Sequence, residues 1–270
     1  MTLMPEGAVV VKRIALAAVM AVAVAGALSS CVRLVQNSFD DRHEVTETVS
    51  TVRLQNGSGN VVVRSRDGAG STEVRRKVEY PKDADKPTGV THRLEGDTLV
   101  LDGCGNRCSV NYEVTVPSKD VKILGDNSSG DVTLDGVASV EISVGSGNAT
   151  VRNVAGVVRV DNGSGDVIGS DIGGEFNGKV GSGDIRLSKM SGPVMVDNNS
   201  GNIDVEMAAV RPVRAEAGSG NVNVRVPQGA YRVEVEAGSG DKNIDVKSDP
   251  NASVELVLRS NSGDLTLRAA

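Results

Sequence analysis

Nine times this chain sets an acid or an amide directly after a Ser-Gly pair: Asn60, Asp131, Asn148, Asp166, Asp184, Asn202, Asn221, Asp241 and Asp264. Side chains of this kind offer two chemistries. Their oxygens accept hydrogen bonds from the amides of tight turns, which is why Asp and Asn favour such places. Stacked in register, carboxylates also form a column suited to a hard cation. Asp166 and Asp184 stand one repeat apart, and two carboxylates about 5 Å from each other repel unless protonated, hydrogen-bonded or bridged. The turn role is the expectation, and calcium held by Asp166 and Asp184 is the alternative. Against calcium stand the Asn residues at four of the nine places, and a spacing unlike that of Gly-Gly-x-Gly-x-Asp calcium repeats.

The elements that position this column are legible from its period. The motif glycines are Gly59, Gly130, Gly147, Gly165, Gly183, Gly201, Gly220, Gly240 and Gly263, and from Gly130 onward they recur at steps of 17, 18, 18, 18, 19, 20 and 23 residues. Such a period means one supersecondary unit stacked many times. Seven residues before each glycine stands an apolar residue, among them Val52, Ile123, Val158, Phe176 and Leu256. Two residues after it stands another, among them Val61, Val132, Ile185 and Leu265, with Lys242 as the exception. Each unit reads as strand, Gly-Ser-Gly turn, strand, second turn, with period-2 alternation in both strands.

Hairpin arrays show the same alternation but tolerate variable loops, whereas stacked coils must return to the same place about 4.8 Å further on. The steady step of 18 therefore predicts an all-β parallel β-helix, a solenoid of about 18 residues per coil. Eleven periods separate Gly59 from Gly263, which predicts about twelve coils and a length of roughly 55 to 60 Å. Composition suits a thin core: no Trp, two Phe and three Tyr in 270 residues, with 32 Gly for the turns.

Residues 1–30 read as a secretory signal of the lipoprotein type. Lys12 and Arg13 precede an apolar run from Ile14 to Ala27, too short to span a bilayer. Leu28-Ser29-Ser30-Cys31 follows and resembles a bacterial lipobox, in which Cys31 carries a thioether-linked diacylglycerol. Residues 31–48 are polar and are expected to be an irregular tether, and residues 49–270 the β-helix repeat domain. Within it, residues 64–125 are atypical: 71 residues separate Gly59 from Gly130 with no motif between them. They are divergent coils or a cap, which an open solenoid end calls for.

Cys104 and Cys108 fall in this insert. In an exported protein they are expected to pair as a small-loop disulfide, since Cys-x3-Cys alone supplies two of the four ligands of a structural zinc. His43 and His92 show no partner spacing that suggests a general base or a metal site. Arg152, Arg159, Arg186 and Glu206 are scattered among repeats and read as a solvated face. The Arg75–Lys77 cluster reads as an exposed strand, with anionic lipid or polymer as its other use. A net charge of −6 disfavours nucleic acid.

Val114-Thr115-Val116-Pro117, then Val121–Leu124, then Ser129-Gly130-Asp131-Val132 and the regular array after it resemble the bacterial β-strand-repeat family of candidate adhesins, a domain of unknown function. The resemblance covers about residues 49–270. It implies a right-handed parallel β-helix in the cell envelope and carries over no catalytic residue and no cofactor. The expectation is thus a non-catalytic protein, lipid-anchored on the outer face of the cell membrane, that binds an envelope polymer or surface protein or serves as a scaffold. An envelope-stress or signalling accessory is the alternative, followed by a polysaccharide-cleaving enzyme.

Overall fold

The computed structural model describes residues 36–269. Residues 1–30, expected to be a leader, and Cys31, the expected lipidation site, lie outside the described residues. Within them the chain forms 23 strands and no helix. The first seven are β1 (Gln36–Val45), β2 (Thr51–Asn56), β3 (Val61–Ser65), β4 (Thr72–Pro81), β5 (His92–Glu95), β6 (Thr98–Asp102) and β7 (Ser109–Val116). Twelve then alternate between two sheets: β8 (Lys122–Ser129), β9 (Val132–Asp135), β10 (Ser139–Ser146), β11 (Ala149–Val154), β12 (Val158–Ser164), β13 (Val167–Ile172), β14 (Phe176–Ser182), β15 (Ile185–Met190), β16 (Val194–Ser200), β17 (Ile203–Met207), β18 (Val213–Ser219) and β19 (Val222–Val226). The last four are β20 (Arg232–Ser239), β21 (Lys242–Ile244), β22 (Glu255–Ser262) and β23 (Leu265–Ala269).

The strand before each Ser-Gly turn joins an eleven-stranded sheet, and the strand after it joins a twelve-stranded sheet. Through the middle of the array all pairing is parallel and the register follows the sequence period. Val140, Val158, Phe176, Val194 and Val213 are successive partners in one sheet, and Ala149, Val167, Ile185, Ile203 and Val222 in the other. These ladders face each other and are buried, forming one continuous aliphatic core. A fully buried Val or Leu contributes roughly 1.5–3 kcal/mol, so each repeat adds its own increment against the coil beneath it. Phe176 fits because Gly169 and Gly178 make room. A Cβ at Gly178 would lie 2.9 Å from the Phe176 ring, and one at Gly169 3.3 Å from it.

The motif glycine is required twice over. Gly183 has φ +133°, and a Cβ there would stand 2.2 Å from the carbonyl oxygen of Gly165 in the preceding coil. The second turn has a shared conformation without a shared motif. Gly136, Asn153, Asp171 and Lys189 occupy matching places in four successive coils, all with φ between 53° and 69°. A single left-handed residue of this kind re-aims the strand, and Asn, Asp and even Lys tolerate it, which is why no sequence pattern marks it.

Stacking order departs from chain order at both ends. The β2/β3 coil lies between β6/β7 and β8/β9, and the β22/β23 coil is inserted between β18/β19 and β20/β21. The expected twelve coils become ten, because the 71 residues between Gly59 and Gly130 supply only the β6/β7 coil together with the cap strands β4 and β5. Ten coils at about 4.8 Å give roughly 45 Å. The insertion at the far end has a physical reason. It places Arg259 of β22 between Glu216 of β18 and Glu236 of β20, and Arg259 bonds Glu216 at 3.2 Å as well as Glu234. Sequential stacking would have set Glu216 against Glu236 and buried Lys242.

Residues 36–45, expected to be irregular, form strand β1, paired antiparallel along its whole length with β4. Its inward-turned positions include Asp41 and His43 beside Phe39 and Val45, so the apolar alternation that announces a strand is interrupted.

Candidate functional site

The column of Asp and Asn is a ladder of hydrogen bonds. The backbone amide of each rung donates to the side-chain Oδ1 of the rung before it: Asp131 to Asn60, Asn148 to Asp131, Asp166 to Asn148, Asp184 to Asp166, Asn202 to Asp184 and Asn221 to Asn202, at 2.8–3.0 Å. The last two rungs follow stacking order. Asp264 donates to Asn221 at 2.8 Å, and Asp241 donates to Asp264 at 2.9 Å. A tenth member opens the ladder, for Asn60 donates to Asn111 at 2.8 Å. Asn111 follows no Ser-Gly pair, so sequence alignment on the glycine misses it.

Asp166 and Asp184 are adjacent, and a cation bridges them, the guanidinium of Arg186. Arg186 Nη1 donates to Asp166 Oδ2 at 2.6 Å and Nη2 donates to Asp184 Oδ2. The Asp184 amide and then Arg186 hold the Asp166 carboxyl below its ordinary range, and Asp166 in turn raises Arg186. The charge repulsion that suggested calcium is thereby compensated within the chain. Among the described residues no group of three or more His, Cys, Asp or Glu is arranged to hold a metal ion.

A second column lies inside the first. Asn56, Asn127, Asn162 and Asn198 are buried three residues before the motif glycine. The Nδ2 of Asn162 donates to Gly147 O and Gly165 O at 3.1 and 2.9 Å, and that of Asn127 to Gly130 O at 2.9 Å. Val144, Val180 and Ala217 take the same place in other coils. The turn edge is thus pinned from both sides, by amides within and by the ladder without.

The outer faces are polar. On the twelve-stranded sheet a shallow hollow of about 600 Å³ is lined by Arg186, Asp204, Glu206, Asn223, Arg225 and Arg268. Arg186 and Glu206 thus share this hollow, while Arg152 lies elsewhere on the same sheet and Arg159 on the other, so the four scattered charges of the sequence do not form one cluster. In the basic cluster, Arg75 bonds Glu73, Lys77 lies 2.7 Å from Glu79, and Arg76 is buried. It is therefore no free cationic strip.

The amino-terminal end gathers residues that the sequence left apart. Arg76 donates to both oxygens of Asp41 at 2.6 and 2.7 Å, to Thr91 Oγ1 at 3.0 Å and to Gly89 O at 2.8 Å. That bonding holds Asp41 below the usual carboxylate range. Tyr112 donates to Thr91 O and lies in bonding reach of Asp102 O, and burial pushes its pKa to about 12. The rings of His43 and His92, 49 residues apart in sequence, meet at a centroid distance of 4.8 Å. Their proximity depends on β1 and β5 ending the two sheets, which no spacing reveals. Cys104 and Cys108 are joined by a disulfide with Cα atoms 5.7 Å apart, in the turn between β6 and β7.

A family model described as Toastrack DUF4097 matches residues 45–268. No curated protein matches the chain. The solved structures it is similar to include three that share 12% identity with it, each match covering 87% of this chain. One is a candidate adhesin from Parabacteroides distasonis ATCC 8503, with 97% of that chain covered and a TM-score of 0.44. Another is a candidate adhesin from Bacteroides fragilis NCTC 9343, with 97% covered and a TM-score of 0.36. The third is a candidate cell adhesion protein from Clostridium sporogenes ATCC 15579, with 100% covered and a TM-score of 0.24.

Proposed function

Starting from a chain that belongs to the Toastrack DUF4097 family, we propose that it is a non-catalytic binding or scaffolding module of the cell envelope, lipid-anchored through Cys31. The array is read as a right-handed parallel β-helix, the hand of nearly all parallel crossover connections. The observation that carries the proposal is the unbroken Asx ladder, ten rungs from Asn111 to Asp241. It ties one edge of the array from coil to coil, so that contacts repeat at the coil spacing against a partner that is itself extended. Many weak contacts on a preorganised surface bind without loop-ordering cost. Pairing of Arg186 and Arg259 with neighbouring carboxylates supports the non-catalytic reading, because those charges are already engaged.

The leader and lipobox support the location: anchored at Cys31, the array stands on the outer face of the membrane, beside envelope polymers and surface proteins. The test is retention of the chain from Val32 to Ala270 on isolated cell walls, membranes and host matrix, with calcium and with chelator. Saturable, chelator-insensitive retention on one of these is expected. Chelator-sensitive retention would replace the structural reading of Asp166 and Asp184 with a metal site. No retention on any of them would overturn the binding role.

A further inference from the structure

The amino-terminal end is packed with polar groups where the other coils are packed with aliphatics. Asp41, Arg76 and Tyr112 are register partners across β1, β4 and β7. The Arg76 side chain is only 3% exposed, and its donors are engaged by Asp41, Thr91 and Gly89. Two residues along β1, His43 lies with Nε2 3.1 Å from Asp41 Oδ1 and its ring against that of His92. His92 is 9% exposed, and its Nδ1 has no hydrogen-bond partner among the described residues.

β1 ends one sheet and β5 ends the other. The contact of the two imidazoles is therefore where the terminal strands of the two sheets touch. Among the described residues β1 has a single backbone partner, β4. A proton on His92 would set a cation against His43 and the buried Arg76. The carboxylate facing them, Asp41, already has both oxygens on Arg76. The remaining facing group, Tyr112 on β7, stays neutral, and on β6 the Asp102 carboxylate is paired with Arg93.

We propose that His43 and His92 form an acid-sensitive latch, which holds β1 on the array at neutral pH and lets it peel away when His92 takes a proton. Burial first, then His43 and Arg76, press the His92 pKa from 6.5 down to about 4, with Asp41 opposing. Once β1 has left, the ring regains its ordinary proton affinity, so the open form binds protons more tightly than the closed one. The latch is fully effective above pH 6.5 and weakens as pH falls from 6.5 towards 4. Linkage over that interval gives a rise of about thirty-fold in the opening equilibrium between pH 7.5 and pH 5. Released, the ten residues of β1 reach up to about 35 Å. Their use as added tether length rests on the lipid-anchor reading, whereas the latch does not.

Amide hydrogen exchange on the full-length chain in detergent, corrected for intrinsic rates, tests this. Between pH 7.5 and pH 5 the amides of β1 are expected to lose protection by about thirty-fold while β12–β16 keep theirs. His92→Phe, which keeps a ring but cannot titrate, is expected to reduce the β1 change to about threefold or less. Equal acceleration in H92F, or none in the parent chain, overturns the latch. Should H92F fail to fold, the imidazole resonances of the parent chain decide. A His92 that stays neutral well below pH 6 supports the proposal, and titration at the ordinary value defeats it. Mass analysis of Cys31 is read separately: an unlipidated chain that still opens keeps the latch and loses the anchor.

Discussion

The two ends of the array face the same difficulty and meet it by opposite means. A stacked coil presents unpaired backbone groups and half-covered core side chains at each end. At the amino-terminal end the chain lays antiparallel strands over the last coil: β4 and β1 extend one sheet and β5 the other. Arg76 is the bolt, tying β4 to β1 through Asp41 and to the segment before β5 through Gly89 and Thr91. At the other end no strand among the described residues covers β20 and β21. There Val233, Val235 and Ala237 remain half-buried, and Lys242 takes the place that elsewhere holds an aliphatic residue, with Nζ donating to Val235 O at 3.1 Å. A single inward-facing lysine blunts an edge because a further strand stacked on it would bury an unpaired charge. One end is covered by strands of the chain itself, and the other is made unattractive to a neighbour.

The largest expected effect separates the middle of the array from its ends. Gly183→Ala should destabilise by about 4 kcal/mol or more, since both the positive φ and the close approach of Gly165 O oppose it. Gly240→Ala meets a similar clash with Gly263 O, at 2.2 Å. Because its coil is outermost and free to shift, about half that cost is expected, and calorimetry of the two variants side by side would show it. Equal losses would mean that the end coil is as constrained as the centre.

At the closed end, Arg76→Ala strands the Asp41 carboxylate and should cost about 3 kcal/mol. Proteolysis is expected to begin at β1 in that variant, and a cut elsewhere would argue that Arg76 is no bolt. Loss of the disulfide through Cys104→Ser with Cys108→Ser closes no loop in the unfolded chain and should cost about 2 kcal/mol. Its effect should stay local, seen as faster amide exchange in β6 and β7 alone. The smallest change in stability belongs to the open end. Lys242→Val should alter it by less than about 1 kcal/mol, yet increase self-association in sedimentation velocity. A variant as monodisperse as the parent would remove Lys242 from its edge-guarding role.

Where the chain repeats, the sequence was a reliable guide. Glycines recurring at steps near 18 marked nine of the ladder's ten rungs, Asn111 being the tenth, and the apolar places seven before and two after became the facing core. The one exception, Lys242, was visible as an exception but not explicable, because Gly263 comes last in sequence while the Gly240 coil is outermost in space. The Asn residues of the inner column also stood in view. Their burial was hidden, since Asn reads as a turn residue whether it points inward or out. Strand β1 was missed because Asp41 and His43 occupy inward positions, where only the Arg76 cluster makes them affordable.

By itself the sequence determined the period, the two-strand unit, the turn chemistry and the composition of the core, all of them local or nearest-neighbour properties that each repeat states afresh. Tertiary structure alone decided the stacking order at the two ends, the bridging of Asp166 and Asp184 by Arg186, and the meeting of His43 with His92. The reason is one of range. A repeat specifies what its neighbour must look like, but not which segment of the chain that neighbour will be. That choice falls to the ends, where charge pairing and edge protection outweigh order along the chain.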